Sequence, residues 1–488
     1  MKKLLFLVLA AIVFSACQQS VTVPEKQVLR FNESGHFRIA QFTDMHLVAS
    51  SEGTAVTLAT IKHVLGTEKP SIAILTGDQV ISEPSQSMWP LIAQVFDEAK
   101  TPFAVVFGNH DAETITREEA YRLLSQSPYF LGVKGPDDIF GYGNYVLPVR
   151  ASTSDKIVAL LYCFDSNDYP KDRKRFSEGY DWIHHDQVDW YRQQSEAFTK
   201  SNGGQPIPAL AFFHIPLQEW FNIKGQPQTY GHLGEGGSPG RLNTGMFAAF
   251  VEMDDVKGIF VGHDHDNDYI GMDYGIAMAY GRVTGKDAYG NLERGSRIIE
   301  IAEEATTFTT WIRTPQSGVS QVYYYPSGMT GEQEDNAVFL PALNVNPTKQ
   351  GVSYNYYEGT FKTTADMLKT KVVKQGTQAD FSIKSAAVED GFGFEFHSLL
   401  KVPEKGIYIF NTFSDDGSVL YIDGQVAVDN DGSHSAKRVN GAAISLEAGF
   451  HDLRLLYFDD HMGQELVVGL VGKTVAETVI PKDWLFVP

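Results

Sequence analysis

Cysteine is nearly absent from the 488-residue chain: Cys17 and Cys163 are the two. With Cys17 in a leader segment, no intrachain disulfide is expected. Cys163 lies in the apolar run Ile157-Val158-Ala159-Leu160-Leu161-Tyr162-Cys163-Phe164 and reads as an inert core residue. Positive charge is also scarce. Forty Lys and Arg against sixty Asp and Glu leave a net charge of −20, which argues against backbone-driven binding of nucleic acid. A phosphorylated substrate would need local compensation on such a chain, for example bound metal. The apolar run of residues 4–14 is too short to span a bilayer. No internal repeat or low-complexity tract is present. What remains is 43% hydrophobic residues, enough for full cores, over a length that predicts two or three domains.

The amino terminus reads as a targeting segment. Lys2 and Lys3 form a positive start, residues 4–14 an apolar centre, and Ser15-Ala16-Cys17 a small-residue end before polar Gln18. Small residues before a Cys resemble the lipobox of bacterial lipoproteins, with Phe14 standing where that pattern usually has Leu. The resemblance implies a signal peptide over 1–17, lipidation of Cys17 and a tether over 18–30. The protein is then expected to be exported and lipid-anchored in a bacterial cell envelope, outer-membrane or periplasm-facing. An ordinary cleaved secretory signal is the alternative; it too puts the protein outside the cytoplasm.

After the tether, a rhythm of strand, helix, strand, helix, strand appears, the pattern of βαβ units. Each strand ends in polar residues. Phe37-Arg38-Ile39-Ala40-Gln41-Phe42 runs into Asp44 and His46. Ser71-Ile72-Ala73-Ile74-Leu75 runs into Gly77-Asp78, and Phe103-Ala104-Val105-Val106-Phe107 into Gly108-Asn109-His110-Asp111. Helices are expected over about 54–67, 86–99 and 117–125, then a hairpin over 145–164 and a helix over 187–200. Ala209-Leu210-Ala211-Phe212-Phe213 leads to His214, and Val256-Lys257-Gly258-Ile259-Phe260-Val261 to Gly262-His263-Asp264-His265. Strands at about 276–280, 297–302 and 306–313 are expected to complete a second sheet.

Each polar group alone reads as a turn or cap. Together, all follow apolar strands, and the carboxyl ends of strands are where open α/β sheets keep ligands. Imidazole, carboxylate and amide oxygen in this number suit two adjacent cations, Mn, Fe or Zn.

The order Asp-x-His, Gly-Asp, Gly-Asn-His-Asp, His, Gly-His-x-His resembles the calcineurin-like metallophosphoesterases, over roughly residues 36–315. Phe212-Phe213-His214-Ile215-Pro216 and Gly281-Arg282-Val283-Thr284-Gly285 are similar to the purple-acid-phosphatase-related branch. The resemblance implies an αββα four-layer α/β sandwich over residues 31–315. It implies that Asp44, His46, Asp78 and His265 hold one metal, and that Asp78, Asn109, His214 and His263 hold the other. His110 would stand at the leaving-group oxygen with Asp111 orienting it, and Arg282 is a candidate phosphate contact. The implied reaction is hydrolysis of a phosphate ester, expected to be a monoester, by in-line attack of a metal-activated hydroxide. A phosphodiesterase or nucleotidase is the alternative, and a glycan-binding protein on an inactive phosphoesterase scaffold is a reading of another class. Purple members carry a Tyr soon after the bridging Asp; Gln79-Val80-Ile81-Ser82 has none, which argues against a purple Fe(III) centre.

A shift to Pro, Gly, Ser and Tyr predicts a linker over 316–340, before an all-β sandwich over 341–488. Its Phe413-Ser414-Asp415-Asp416-Gly417-Ser418 and Asp429-Asn430-Asp431-Gly432 resemble the protective-antigen-type module. In sugar-binding members of that family paired Asp residues hold Ca²⁺ against a glycan, so Asp415 and Asp416 are its candidate ligands here. A spacer role is the alternative.

Overall fold

The computed structural model describes residues 27–488 except 227, 304–306, 474 and 476. The leader, Cys17 and most of the tether lie outside the described residues. Among the described residues, no helix is long and apolar enough to cross a membrane.

The amino-terminal part contains β1 (Leu29–Arg30), β2 (His36–Phe42), α1 (Glu52–Glu68), β3 (Ile72–Thr76), α2 (Ser85–Ala99), β4 (Phe103–Val106) and α3 (Arg117–Leu124). Then come β5 (Tyr145–Arg150), β6 (Ile157–Cys163), α4 (His185–Ser201), β7 (Ala209–Phe212), α5 (Trp220–Ile223), α6 (Met246–Met253) and β8 (Val256–Val261). The part ends with β9 (Ile270–Asp273), β10 (Ile276–Tyr280), β11 (Ser296–Ala302), β12 (Phe308–Thr314), β13 (Gly318–Tyr325) and β14 (Met329–Thr330).

Two seven-stranded sheets result, in the orders β1-β5-β6-β7-β8-β10-β9 and β14-β13-β12-β11-β2-β3-β4. The strands are apolar on both sides because both sides are covered. Along β6, Leu161 and Cys163 enter the core that also holds Ile39, Ile298 and Phe308 of the opposite sheet. Leu160 and Tyr162 point the other way, into a core with Trp190, Tyr191 and Phe250 of α4 and α6. Alternation of side chains thus builds both layers. The layers are helices, sheet, sheet, helices. Local chemistry sets helix starts: Ser51 caps α1 by accepting the Gly53 N–H, and Thr116 caps α3 through the Glu119 N–H.

Two expectations change. Strands β10, β11 and β12 do not share one sheet: β10 pairs in parallel with β8, whereas β11 and β12 continue from β2. Residues 281–285 cross between the sheets. The Gly281 N–H donates to Val261 of one sheet, and the Thr284 and Gly285 N–H groups to Thr43 and Asp44 after β2 of the other. The first part of the expected linker is sheet, and a short helix over Gly331–Asp335 follows it. β13 pairs with β12, and its Tyr323 and Tyr325 enter the inter-sheet core, so the Tyr cluster is a strand's inward-facing alternation.

The carboxyl-terminal part is an antiparallel β sandwich. One sheet includes Val352–Glu358, Phe392–Val402, Gly449–Asp459 and Ser418–Ile422; the other includes Lys437–Leu446, Gly406–Asp415 and Glu465–Gly472. Between the two parts, Tyr324, Met329 and Ile407 form a buried cluster, and the Lys473 ammonium lies 2.8 Å from the Glu334 carboxylate.

Candidate metal centre

The strand ends β2, β3, β4, β7 and β8 converge at one edge of the two sheets, and each delivers its polar residues there. The backbone at this edge is unusual. Asp44, His46, Asp78 and His263 all have positive φ, of 51°, 45°, 55° and 81°. Side chains rarely adopt that region, and it costs on the order of 1–3 kcal/mol each where it occurs. Glycine makes the turns fit. A Cβ on Gly108 would strike the Asp78 carboxylate, and one on Gly262 would strike the Thr43 hydroxyl.

The donor atoms gather into two groups. One nitrogen or oxygen each from Asp44, His46 and His265 lie within 4.8 Å of one another, and likewise from Asp78, His214 and His263. All six residues are buried. Asp78 links the groups: its Oδ2 is 3.2 Å from His214 Nε2 and 3.7 Å from His46 Nε2. Its Oδ1 accepts the His110 N–H at 2.8 Å, which leaves Oδ2 facing the histidines. His265 Nε2 is 3.3 Å from Asp44 Oδ1, and His263 Nδ1 is 3.3 Å from His214 Nε2. His214 donates its Nδ1–H to the Thr76 carbonyl at 2.8 Å, so Nε2 is the nitrogen turned inward.

The fit to cations rests on atoms left without partners. Asn109 Oδ1, His46 Nε2, His263 Nε2 and His265 Nδ1 are buried and make no hydrogen bond among the described residues. Orphaned buried acceptors cost free energy unless something positive meets them. Electrostatics agree. Burial would raise Asp44, yet neighbouring His265 holds it down at about 2. Burial would likewise raise Asp78, but His214 and His46 keep it well below the ordinary carboxylate value. Burial would lower His214, and the charges of Asp78 and Asp44 raise it instead to about 10. His263 is lowered by burial, then by His214, to about 3. The carboxylates stay ionised and draw positive charge to the space between them.

His110 stands at the rim, with 34% of its side chain exposed and its ring 5.6 Å from that of His46. Asp111 does not orient it. The Asp111 carboxylate accepts backbone N–H groups from Gly108, Asp78 and Gln79 at 2.9, 3.0 and 2.7 Å. The His110 ring instead meets Glu113, Nδ1 to Oε1, at 2.9 Å. Glu113 was not singled out from sequence; its signal was the spacing of three residues after His110. Arg282 is not a phosphate contact either. It is buried against Asp268, Nε to Oδ2 at 2.7 Å, and donates to the Glu293 carbonyl. Those partners occupy the guanidinium and brace the crossing segment 281–285.

Aromatic side chains that sequence reading missed surround the centre. The Asn109 amide donates to the Tyr169 hydroxyl at 3.3 Å. Tyr180 meets the His263 ring edge to face at 4.3 Å, and Tyr289 stacks on His265 at 3.9 Å.

In the β sandwich, Asp416 accepts the N–H groups of His434 and Asp460 at 2.8 and 2.7 Å. The Asp415 carbonyl accepts the Tyr457 hydroxyl at 2.6 Å. Burial, then the charges of Asp390, Asp416 and Asp415, push nearby Asp459 up to about 7. Among the described residues, no group of three close donors forms around Asp415 and Asp416.

Comparison with known proteins agrees with this architecture. The calcineurin-like phosphoesterase family model matches residues 37–267, and the PA14 domain model matches residues 348–484. The chain is 31% identical over 333 residues to "Probable inactive purple acid phosphatase 29" of Arabidopsis thaliana, covering 61% of this chain and 85% of that protein. It is 30% identical over 351 residues to "Phosphatase DCR2" of Saccharomyces cerevisiae, covering 64% of this chain and 59% of that one. Among solved structures, a dimetal phosphatase from Danio rerio is similar at 12% identity and a TM-score of 0.43, covering 59% of this chain and 98% of that chain. The chain belongs to the calcineurin-like phosphoesterases, among relatives named for purple acid phosphatase, and carries a PA14 domain at its carboxyl-terminal end.

Proposed function

We propose that the protein is an active, exported and lipid-anchored phosphoesterase with a dinuclear metal centre, acting on phosphate monoesters. The observation that carries this reading is the position of Asp78 between two buried donor groups, within 3.7 Å of a histidine of each. Asp44, His46, Asp78 and His265 would hold one cation; Asp78, Asn109, His214 and His263 would hold the other. Bound there, two cations supply polarisation of the phosphoryl oxygens and activation of water as the nucleophile.

The chain's own residues do the rest. Asp78 is fixed through its Oδ1 by the His110 amide, which leaves its Oδ2 facing His214 and His46. Thr76 fixes the His214 ring. His110, exposed at the rim and held by Glu113, is placed to give a proton to the leaving oxygen. The relatives named as inactive make activity the point to test, and the full set of donors, none missing, favours an enzyme over a glycan-binding protein on a decayed scaffold. Lys2, Lys3, the apolar stretch of residues 4–14 and Cys17 support export and anchoring.

The test is hydrolysis of p-nitrophenyl phosphate against bis-p-nitrophenyl phosphate by protein lacking residues 1–17, with Mn²⁺, Zn²⁺ or Fe²⁺ added. Metal-dependent turnover of the monoester, lost in Asp78→Asn, is the expected result. Preference for the diester would move the assignment to a phosphodiesterase. Turnover undiminished in Asp78→Asn would refute the site.

A further inference from the structure

The segment from Asp168 to Asp181 forms a wall beside the metal centre. Tyr169 and Tyr180 stack on each other at 5.7 Å, and they reach the centre at Asn109 and His263 respectively. Between these tyrosines the chain reads Lys171-Asp172-Arg173-Lys174-Arg175, and all five residues are exposed. The Arg173 guanidinium lies 4.8 Å from the Tyr169 ring centroid, one tyrosine side chain from Asn109.

Of this segment's four acids, Asp168, Asp172 and Asp181 are engaged and Glu178 is exposed; Asp181 Oδ1 lies 3.1 Å from His184 Nε2. Asp168 pairs with Arg117 at 3.3 Å and accepts the Tyr169 N–H. Asp172 accepts the N–H groups of Lys174 and Arg175. Of the four cations, Lys171 lies over Phe140 at 4.8 Å and Arg175 over Phe176 at 5.5 Å. None of the four has a carboxylate partner within 4 Å among the described residues. The segment's four cations balance its four acids, so on a chain of net charge −20 it is a neutral stretch whose cations, free of carboxylate partners, stand beside an anion-handling site.

We infer that this segment is a specificity element that binds a second phosphoryl group, so that the preferred substrates are phosphate esters bearing one phosphoryl group beyond the one that is cleaved. The inference rests on the phosphoesterase reading for the scissile group and adds the class of substrate. Arg173 and Lys174 are the recognising residues. The guanidinium offers paired donors to phosphate oxygens, and the ammonium a point charge. Their contacts lie away from the reacting phosphorus, so they act through binding and appear in KM more than in kcat.

The test compares phenyl phosphate with benzene-1,4-diyl bis(phosphate), using the metal-loaded full-length protein and the double variant Arg173→Gln/Lys174→Gln. Titration calorimetry with phenylphosphonate and benzene-1,4-diyl bisphosphonate runs in parallel. For the wild type, the expected result is a kcat/KM about tenfold higher per ester for the bisphosphate. In the variant that advantage disappears through KM, and phenyl phosphate turnover stays within about twofold. Equal treatment of the two esters by the wild type, or an unchanged preference in the variant, overturns the inference. If neither ester is hydrolysed yet the bisphosphonate binds more tightly to wild type than to the variant, the specificity element stands and the catalytic reading falls. Equal binding to wild type and variant removes the element.

Discussion

The Asp111 carboxylate holds the backbone of Asp78, accepting its N–H at 3.0 Å while also accepting those of Gly108 and Gln79. One buried side chain therefore ties the turn after β3 to the turn after β4, the two turns that present Asp78 and Asn109. Burial and then the Asp78 charge push Asp111 up to about 7, while those N–H groups pull it down. Asp111→Asn replaces one acceptor oxygen with an NH₂ that faces N–H donors. The expected cost is about 1–3 kcal/mol of stability, with metal content below wild type. Thermal melting and elemental analysis of the purified variant check both.

His110 and Glu113 separate chemistry from metal binding. His110→Ala should lower turnover by roughly 10²–10⁴-fold, most with poor leaving groups, and keep its metal. Glu113→Gln, which leaves the ring in place but weakens its partner, should lower turnover less. Loss of metal in either variant would show that the rim residues hold the centre together rather than serve the leaving group. Steady-state kinetics beside metal analysis distinguishes the two.

The glycines give a steric test. In Gly108→Ala the new methyl group meets the Asp78 carboxylate, and in Gly262→Ala it meets Thr43 Oγ1 with Asp44 Oδ2 at 2.8 Å. The first displaces the shared carboxylate and should empty both positions. The second disturbs Asp44 and should empty one first. Metal-to-protein ratios after gel filtration read this directly.

The β sandwich supplies a prediction about pH. Glu395 accepts from Asn355 at 2.9 Å, from Arg454 at 2.8 Å and from Tyr357 at 3.0 Å, and lies 3.3 Å from the His397 ring. His397 first, with Asn355 and Arg454, holds its carboxyl well below the ordinary glutamate value against the opposing effect of burial. A carboxyl depressed by folding stabilises above its unfolded value of about 4.3 and loses that contribution as pH falls. Glu395→Gln should therefore melt lower than wild type at pH 7, and the gap should narrow as pH drops below about 4. A gap independent of pH would mean that packing, not charge, sets the effect.

Much of this centre was legible because βαβ units place strand ends in register. An apolar run followed by Asp, Asn or His is readable one strand at a time, and the shared edge follows from the fold. What was not legible depends on where side chains turn. Asp111 follows His110 in sequence, yet a tight turn aims its carboxylate at backbone rather than at the imidazole. Arg282 sits in a motif beside the site, but buried Asp268 captures it. Tyr323 and Tyr325 looked like linker composition because only pairing with β12 shows that they face a core. Tyr169 and Tyr180 lie in a loop whose path no periodicity encodes.

Whether Asp78 serves two cations is read from metal stoichiometry, by elemental analysis of wild type and Asp78→Asn after loading with Mn²⁺, Zn²⁺ or Fe²⁺ and desalting. The expected result is two equivalents per chain in the wild type and a loss of at least one in the variant, with ester hydrolysis falling in step. A wild type that holds no metal, or a variant that keeps two equivalents and full activity, would contradict it.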